Sequence, residues 1–258
     1  KFNEEILPLN IENCEFFNGI GGFINNGREY IFAVNKEQKT PALWSNDISN
    51  KFFGSIVTEN MSDSTWSKNS RLNRLTPWNN NMVQNYPSEI FYVYDNDKKR
   101  IWSLNSGVIP NDNYYYITYG FGYSKYRNVT DGILQETNIY IPSEEKVKIT
   151  DIRFKNIYDE ERNLNVVLYT TLVLGEDEFK TNKNLVGKLE NNIVYLKNVL
   201  ADSEFKDNIM YLSSNMKIKK LSFDKNDLFE NNDLTKPIKI LQGIDYYSNN
   251  VNCVCVEF

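Results

Sequence analysis

Ile90-Phe91-Tyr92-Val93-Tyr94, Asp95-Asn96-Asp97-Lys98-Lys99 and Arg100-Ile101-Trp102-Ser103-Leu104 decide the fold. Two runs of β-branched and aromatic residues flank a polar turn, which is the signature of a β-hairpin. Outward in both directions the same rhythm continues. Asn25-Asn26-Gly27 opens a run over 27–34, and Asn-Gly is the strongest short hairpin signal because both turn residues need φ > 0. Further strand-like runs fall at 114–123, 133–141, 147–157, 164–174, 193–199, 209–213, 216–223 and 251–258. They are broken by turn chemistry such as Pro142-Ser143 and Tyr158-Asp159-Glu160-Glu161. The exception is 225–231, where one helical turn fits. Many short strands with little helix between them argue for a sandwich and against alternating strand–helix units. The expectation is an all-β protein with little helix, a single large antiparallel β-sandwich over 1–258.

Composition narrows the chemistry. The chain has 258 residues, 41% hydrophobic and 14% aromatic, which is enough apolar material for a core and excludes disorder. No apolar run reaches the roughly 18 residues that a membrane span needs. The first residues show neither a basic start nor an apolar run, so no signal peptide is expected. A net charge of −5 disfavours nucleic acid as a partner. Histidine is absent, which removes Ser-His-Asp and Cys-His nucleophile systems and the HExxH metal site. Of the three cysteines, Cys253 and Cys255 point to one face of a strand, poor spacing for bonding to each other. Reduced thiols and a cytoplasmic compartment are expected, with no metal, no cofactor and no membrane partner.

One region, 40–78, breaks the strand rhythm. It runs Thr40-Pro41-Ala42-Leu43-Trp44-Ser45-Asn46, then Phe53-Gly54-Ser55-Ile56-Val57-Thr58-Glu59, then Thr65-Trp66-Ser67-Lys68-Asn69-Ser70-Arg71-Leu72-Asn73-Arg74-Leu75-Thr76-Pro77-Trp78. Three of the four tryptophans and two of the seven arginines lie here. A flat indole covers the apolar face of a pyranose, while fork-shaped Arg and bidentate Asn satisfy ring hydroxyls; Arg pairs also suit phosphate. The candidate substrate-binding residues are Trp66, Asn69, Arg71, Asn73, Arg74 and Trp78. The same residue types also pin a long loop onto a sandwich, with Trp buried and Arg bound to loop carbonyls. Both readings stand at this point.

Other signals are weaker. Gly19-Ile20-Gly21-Gly22 and Gly120-Phe121-Gly122 lack the helix and the Lys-Ser/Thr of a phosphate loop and read as hairpin or bulge glycines. Asp95-Asn96-Asp97 lacks the later Gly and Glu of a calcium loop and reads as a tight turn. The acidic runs Glu144-Glu145, Asp159-Glu160-Glu161 and Glu176-Asp177-Glu178 read as solvated turns.

The residues around 40–78 resemble a known family. Phe17-Asn18-Gly19, Gly21-Gly22-Phe23, Gly27-Arg28-Glu29-Tyr30, the three segments of 40–78 and Tyr119-Gly120-Phe121-Gly122-Tyr123-Ser124 are similar to the amino-terminal sandwich of glycoside hydrolase family 94, formerly glycosyltransferase family 36. That family holds cellobiose and β-1,2-oligoglucan phosphorylases and the phosphorylase-like part of cyclic β-1,2-glucan synthase. The Trp-rich 65–78 segment is closer to the β-1,2-glucan members. The likeness continues, more weakly, through Asp224-Lys225-Asn226-Asp227-Leu228-Phe229, Leu234, Pro237 and Gly243-Ile244-Asp245. Departures lie near the end, where Asp224-Lys225 replaces an Asp-Arg pair and Asp245-Tyr246-Tyr247 an Asp-Pro-Cys segment.

The resemblance implies a galactose mutarotase-like supersandwich. Catalysis in the family belongs to an Asp general acid and a phosphate site on a following (α/α)6 helical barrel, with inorganic phosphate as co-substrate of the parent enzyme. No segment here reads as that barrel, so no catalytic residue is carried over. The chain, which does not begin with Met, is expected to be part of a longer phosphorylase or glucan synthase. The implied partners are that barrel, a β-glucan or β-glucoside oligosaccharide, and a second copy in a homodimer. Competing readings are an autonomous sandwich enzyme, mutarotase-like or a carboxylate glycosidase, and a stand-alone carbohydrate-binding module.

Overall fold

In the computed structural model the described residues are 11–78, 86–201, 204–236 and 243–258. They form antiparallel sheets with little helix. A six-stranded sheet has the order β1 (Gly21–Ile24), β2 (Glu29–Val34), β8 (Tyr115–Gly120), β9 (Tyr123–Thr130), β10 (Ile133–Tyr140) and β11 (Ile149–Asn156). A three-stranded sheet holds β3 (Ser45–Ser49), β4 (Phe53–Thr58) and β5 (Met61–Ser67). A five-stranded sheet runs β16 (Lys220–Ser222), β18 (Cys253–Glu257), β12 (Leu164–Thr171), β6 (Glu89–Asp95) and β7 (Arg100–Ser103). A four-stranded sheet runs β15 (Met210–Ser213), β14 (Ile193–Asn198), β13 (Leu185–Glu190) and β17 (Tyr247–Ser248).

The hairpin expected at 90–104 is β6–β7, with Asp95 opposite Arg100. Its turn closes on Asp95 Oδ1, which accepts the N–H groups of Asp97 and Lys98 at 2.9 Å each. The other carboxyl oxygen meets the buried Arg162 guanidinium, whose Nε lies 2.7 Å away. Burial alone would raise the Asp95 pKa, but the N–H donors and Arg162 outweigh it and hold the carboxyl below its ordinary value. Asn25, Asn26 and Gly27 all have positive φ, the backbone their sequence demands.

Several boundaries differ from the sequence reading. The region 40–78 carries a sheet: β3, β4 and β5 pair in sequence order, with a register irregularity between Ile56 and Val57. Its pattern escaped notice because β5 is polar yet buried, Met61 to Thr65 all lying under other elements. The run 114–123 is two strands folded back at Phe121-Gly122, with Gly120 opposite Tyr123 and Gly122 at φ +79°. The acidic run at 176–178 starts one helical turn, α1 (Glu178–Thr181), whose first N–H groups include that of Phe179, capped by Asp177 Oδ1 at 2.7 Å. At 225–231 only a 3-10 turn, Lys225–Asp227, forms.

Among the described residues three clusters build the interior. Phe32, Ile117, Tyr126, Ile133 and Ile139 of the six-stranded sheet pack on Ile48, Val57 and Met61 of the three-stranded sheet and on Phe91, Val93 and Leu168 of the five-stranded one. The same inner face continues through Val254, Val256 and Leu221, which pack on Leu185, Val194 and Leu196 of the four-stranded sheet. The opposite face buries Ile90, Tyr92, Tyr169, Cys253 and Cys255 against Leu228 and Phe229. Each such side chain contributes about 1.5–3 kcal/mol. Cys253 and Cys255 share that face, as their spacing dictates, with free thiols 3.6 Å apart. Burial pushes the Cys253 thiol well above its ordinary pKa. Among the described residues no helix is long and apolar enough to cross a membrane.

The six-stranded and four-stranded sheets thus lie over one continuous floor without pairing to each other. β11 and β15, the edge strands on either side, border a cleft of about 950 Å³. Its floor includes Phe91, Leu164, Val166 and Leu168, and its walls Ile152, Phe154, Leu212 and Phe258.

Candidate functional site

The segment after β5 is laced down by its own backbone. Lys68 sits at φ +63° and its N–H donates to the Phe52 carbonyl at 2.7 Å. Asn69 Oδ1 accepts the N–H groups of Arg71 and Leu72, both at 2.9 Å, and its carbonyl accepts the Asn73 N–H at 3.1 Å. The buried Asn73 amide donates to the Ser67 carbonyl at 2.8 Å. Arg74 then exchanges main-chain hydrogen bonds with Gly175, at 3.0 and 2.9 Å, and Leu75 with Thr65 and Val173, at 2.8 and 3.0 Å. Residues 73–76 therefore run as an extra rung between β5 and the chain that follows β12.

The two arginines have different fates. Arg74 Nε donates to the Ser70 carbonyl at 2.8 Å and Nη1 to the Glu176 carbonyl at 3.3 Å. Its guanidinium carbon lies 5.6 Å from the Trp78 ring centroid, a cation–π contact that supports the indole. Arg71 leaves its side chain 78% exposed, and among the described residues its Nε lies 3.5 Å from Glu176 Oε1. Lys180, 2.9 Å from Glu176, is the main reason that carboxyl sits below its ordinary pKa.

The three indoles also divide. Trp44 packs edge-on against Phe32 and Tyr30, with centroids at 5.1 and 5.7 Å, and belongs to the core. The Trp44 main-chain N–H donates at 3.0 Å to Glu59, which also accepts the Thr40 hydroxyl at 2.6 Å. Burial pushes the Glu59 carboxyl up, only partly countered by these donors. Trp66 is half-buried over Gly54, its register partner, where a Cβ would come within 2.3 Å of the ring. Trp78 is 53% exposed. Of the six candidates, Asn69, Asn73 and Arg74 are bonded to main chain, Trp66 packs across the β4–β5 pair, and Arg71 and Trp78 face solvent beside Leu72.

The underside of the same segment, through Ser67, Lys68, Asn73 and Leu75, walls the cleft. Deeper in the cleft, Lys148 Nζ donates to Thr65 Oγ1 at 2.8 Å, Ser62 Oγ at 3.2 Å and Glu89 Oε1 at 2.5 Å. Both ion-pair partners are nearly buried, and the two hydroxyls satisfy the remaining protons of the ammonium. Gly175, Glu89 and Lys148 carry no local motif that marks them, and Glu176 reads only as part of an acidic turn, because all four reach this place from distant parts of the chain. Asp95, the first residue of the calcium-like run, spends its carboxylate on N–H groups and Arg162. No cluster of three or more potential metal-ligating side chains occurs among the described residues.

Comparison with known proteins bears on this arrangement. A family model described as "Glycosyl hydrolase 94, supersandwich domain" matches residues 28–255. The chain is 32% identical over 176 residues to cyclic beta-(1,2)-glucan synthase NdvB of Rhizobium meliloti (strain 1021), covering 68% of this chain and 6% of that protein. It is 25% identical over 152 residues to N,N'-diacetylchitobiose phosphorylase of Vibrio furnissii, covering 58% of this chain and 19% of that one. The corresponding enzyme of Vibrio proteolyticus is 26% identical over 148 residues, 56% of this chain and 18% of its own length. The chain therefore spans less than a fifth of these relatives.

Proposed function

Because this chain belongs to glycosyl hydrolase family 94, of which it is a supersandwich domain, we propose that it serves a sugar phosphorylase or cyclic β-1,2-glucan synthase as a non-catalytic scaffold. In this reading it contributes to dimerisation and to binding a β-glucoside acceptor. The relatives named for glucan synthesis and disaccharide phosphorolysis support the substrate class. Acid and phosphate chemistry would come from a helical barrel elsewhere in the parent protein, with phosphate as co-substrate and no other cofactor.

The observation that carries the acceptor role is that one hydrogen-bonded segment exposes both a guanidinium, Arg71, and an indole, Trp78. Arg71 has donors to spare, and Trp78 rests on Arg74. Such a hydrogen-bonded rim loses little entropy when a sugar docks. Arg74, Asn69 and Asn73 are then positioning residues, and Trp66 is their packed support.

Three measurements test this. The chain alone, incubated with phosphate and β-glucosides, is expected to show no turnover, and turnover would overturn the non-catalytic role. Titration with short β-1,2- and β-1,4-glucans is expected to show weaker binding for Arg71→Ala combined with Trp78→Ala, and unchanged affinity would remove the acceptor assignment. Sedimentation of the chain reads out self-association directly.

A further inference from the structure

The outward face of the four-stranded sheet carries an ordered row of aromatic side chains. Register places Tyr211 opposite Tyr195, Tyr195 opposite Lys188, and Lys188 opposite Tyr247. Four residues from four adjacent strands therefore line up across the sheet, while Leu185, Val194 and Leu196 point into the core from the other face. The middle of the row is held together. Tyr195 meets Tyr211 edge-on at 5.2 Å between centroids, and the Lys188 ammonium lies 4.9 Å from the Tyr195 ring centroid. The ends are open, with Tyr211 59% and Tyr247 67% exposed. Adjacent strands are about 4.8 Å apart, so the two end positions lie about 14 Å from each other.

Cross-strand aromatic pairing stabilises a sheet, which accounts for Tyr195 with Tyr211. It does not account for Tyr247, two strands from Tyr195, with its ring left in water. A row of large exposed aromatics marks a recognition surface. Its charge indicates the kind of ligand. Lys188, the cation within the row, is paired with Glu190 at 2.7 Å, so the row offers no spare positive charge to an anion. The net charge of −5 further disfavours an anionic ligand. Phenol rings supply flat apolar faces with hydroxyl groups at their tips, which matches a ligand with apolar ring faces and hydroxyl edges.

We propose that this face is a second carbohydrate-binding surface, taking a neutral β-glucan oligosaccharide laid across the strands from Tyr211 to Tyr247. It shares its sugar class with the Arg71–Trp78 rim but stands on different residues, so the two can fail separately.

Titration calorimetry of the 258-residue chain with short β-1,2-glucans and with cello-oligosaccharides tests the proposal. Tyr211→Ala combined with Tyr247→Ala is expected to weaken binding about tenfold or more, with only the small fall in thermal midpoint that loss of the Tyr195–Tyr211 pair brings. Tyr211→Trp with Tyr247→Trp, which keeps flat faces at both ends, is expected to retain binding. Arg71→Ala with Trp78→Ala is expected to leave this component in place. Unchanged affinity in the double-alanine variant overturns the proposal, as does the absence of binding by the unmodified chain to either glucan at millimolar concentration. A dimer that dissociates in the double-alanine variant while sugar affinity holds assigns the face to a second copy and likewise overturns it. Loss of all binding in the rim variant alone sustains the acceptor reading and rejects this one, and the reverse pattern does the opposite.

Discussion

The rim at 65–78 and the outer face of the four-stranded sheet both present aromatic rings to solvent, but by different means. At the rim Asn69, Asn73 and Arg74 are bonded to the main chain, while the Arg71 guanidinium and the Trp78 ring face solvent. On the sheet face the backbone is ordinary strand ladder, and the pattern exists only because register brings four separate strands into line. The rim is dense in unusual residues and was visible in the sequence. The tyrosine row is assembled from residues 36 or more positions apart at its ends (Tyr211 to Tyr247) and was not. Composition thus locates where polar groups crowd together, and it overstates how many of them stay free.

Substitutions can break that contrast, and the largest effect provides its scale. Arg162→Ala leaves Asp95 buried without its counter-charge, and a loss of about 3–5 kcal/mol is expected in urea or thermal unfolding. Because the folded Asp95 pKa is depressed, the stabilisation it provides is complete above about pH 4, the unfolded value, and is lost as pH falls through the lower folded value. Unfolding midpoints followed into acid should show that this limb flattens in Arg162→Ala.

Within the rim the effects should be smaller but still structural. Asn73→Ala removes the side-chain amide from the Ser67 carbonyl, which keeps the Asn69 N–H as a donor, and should cost about 1 kcal/mol. Gly54→Ala forces the Trp66 indole to move and should cost roughly 1–3 kcal/mol by overpacking. Such costs accompanied by a shift in tryptophan fluorescence would sharpen the view that the rim is a rigid support. Arg71→Ala, by contrast, is expected to leave the thermal midpoint unchanged, since its one ionic partner is a solvent-exposed contact. On the sheet face Tyr247→Ala should stay within about 0.5 kcal/mol. A large loss there would make the tyrosine row a stability device and erase the contrast.

Much of the fold was legible. The β6–β7 hairpin follows from its own residues, and Asn25-Asn26-Gly27 adopts the positive φ values it advertises. Other signals were present but unread. Asp131 and Gly132, both at positive φ, form the tight turn between β9 and β10 and carry a strong hairpin dipeptide. The sheet at 40–67 was hidden for a physical reason. β3 buries only Ile48, so it shows no alternation, and β5 is covered although nearly all its residues are polar. In the site, the six candidates share one segment, but what Arg71 and Arg74 meet depends on Gly175 and Glu176, about a hundred residues further along.

By itself the sequence determined the all-β class, the turn positions, the exclusion of histidine chemistry and the resemblance that the family match bears out. These rest on local backbone preference, on which residue types are present, and on which face of a strand each side chain takes, all readable over a few residues. The tertiary structure alone decided that Arg74 is committed while Arg71 is open, that the two sheets leave a cleft between β11 and β15, and that three tyrosines share one row. Each of these depends on which strand lies beside which and in what register, and those pairings join segments that carry no trace of one another in the linear chain.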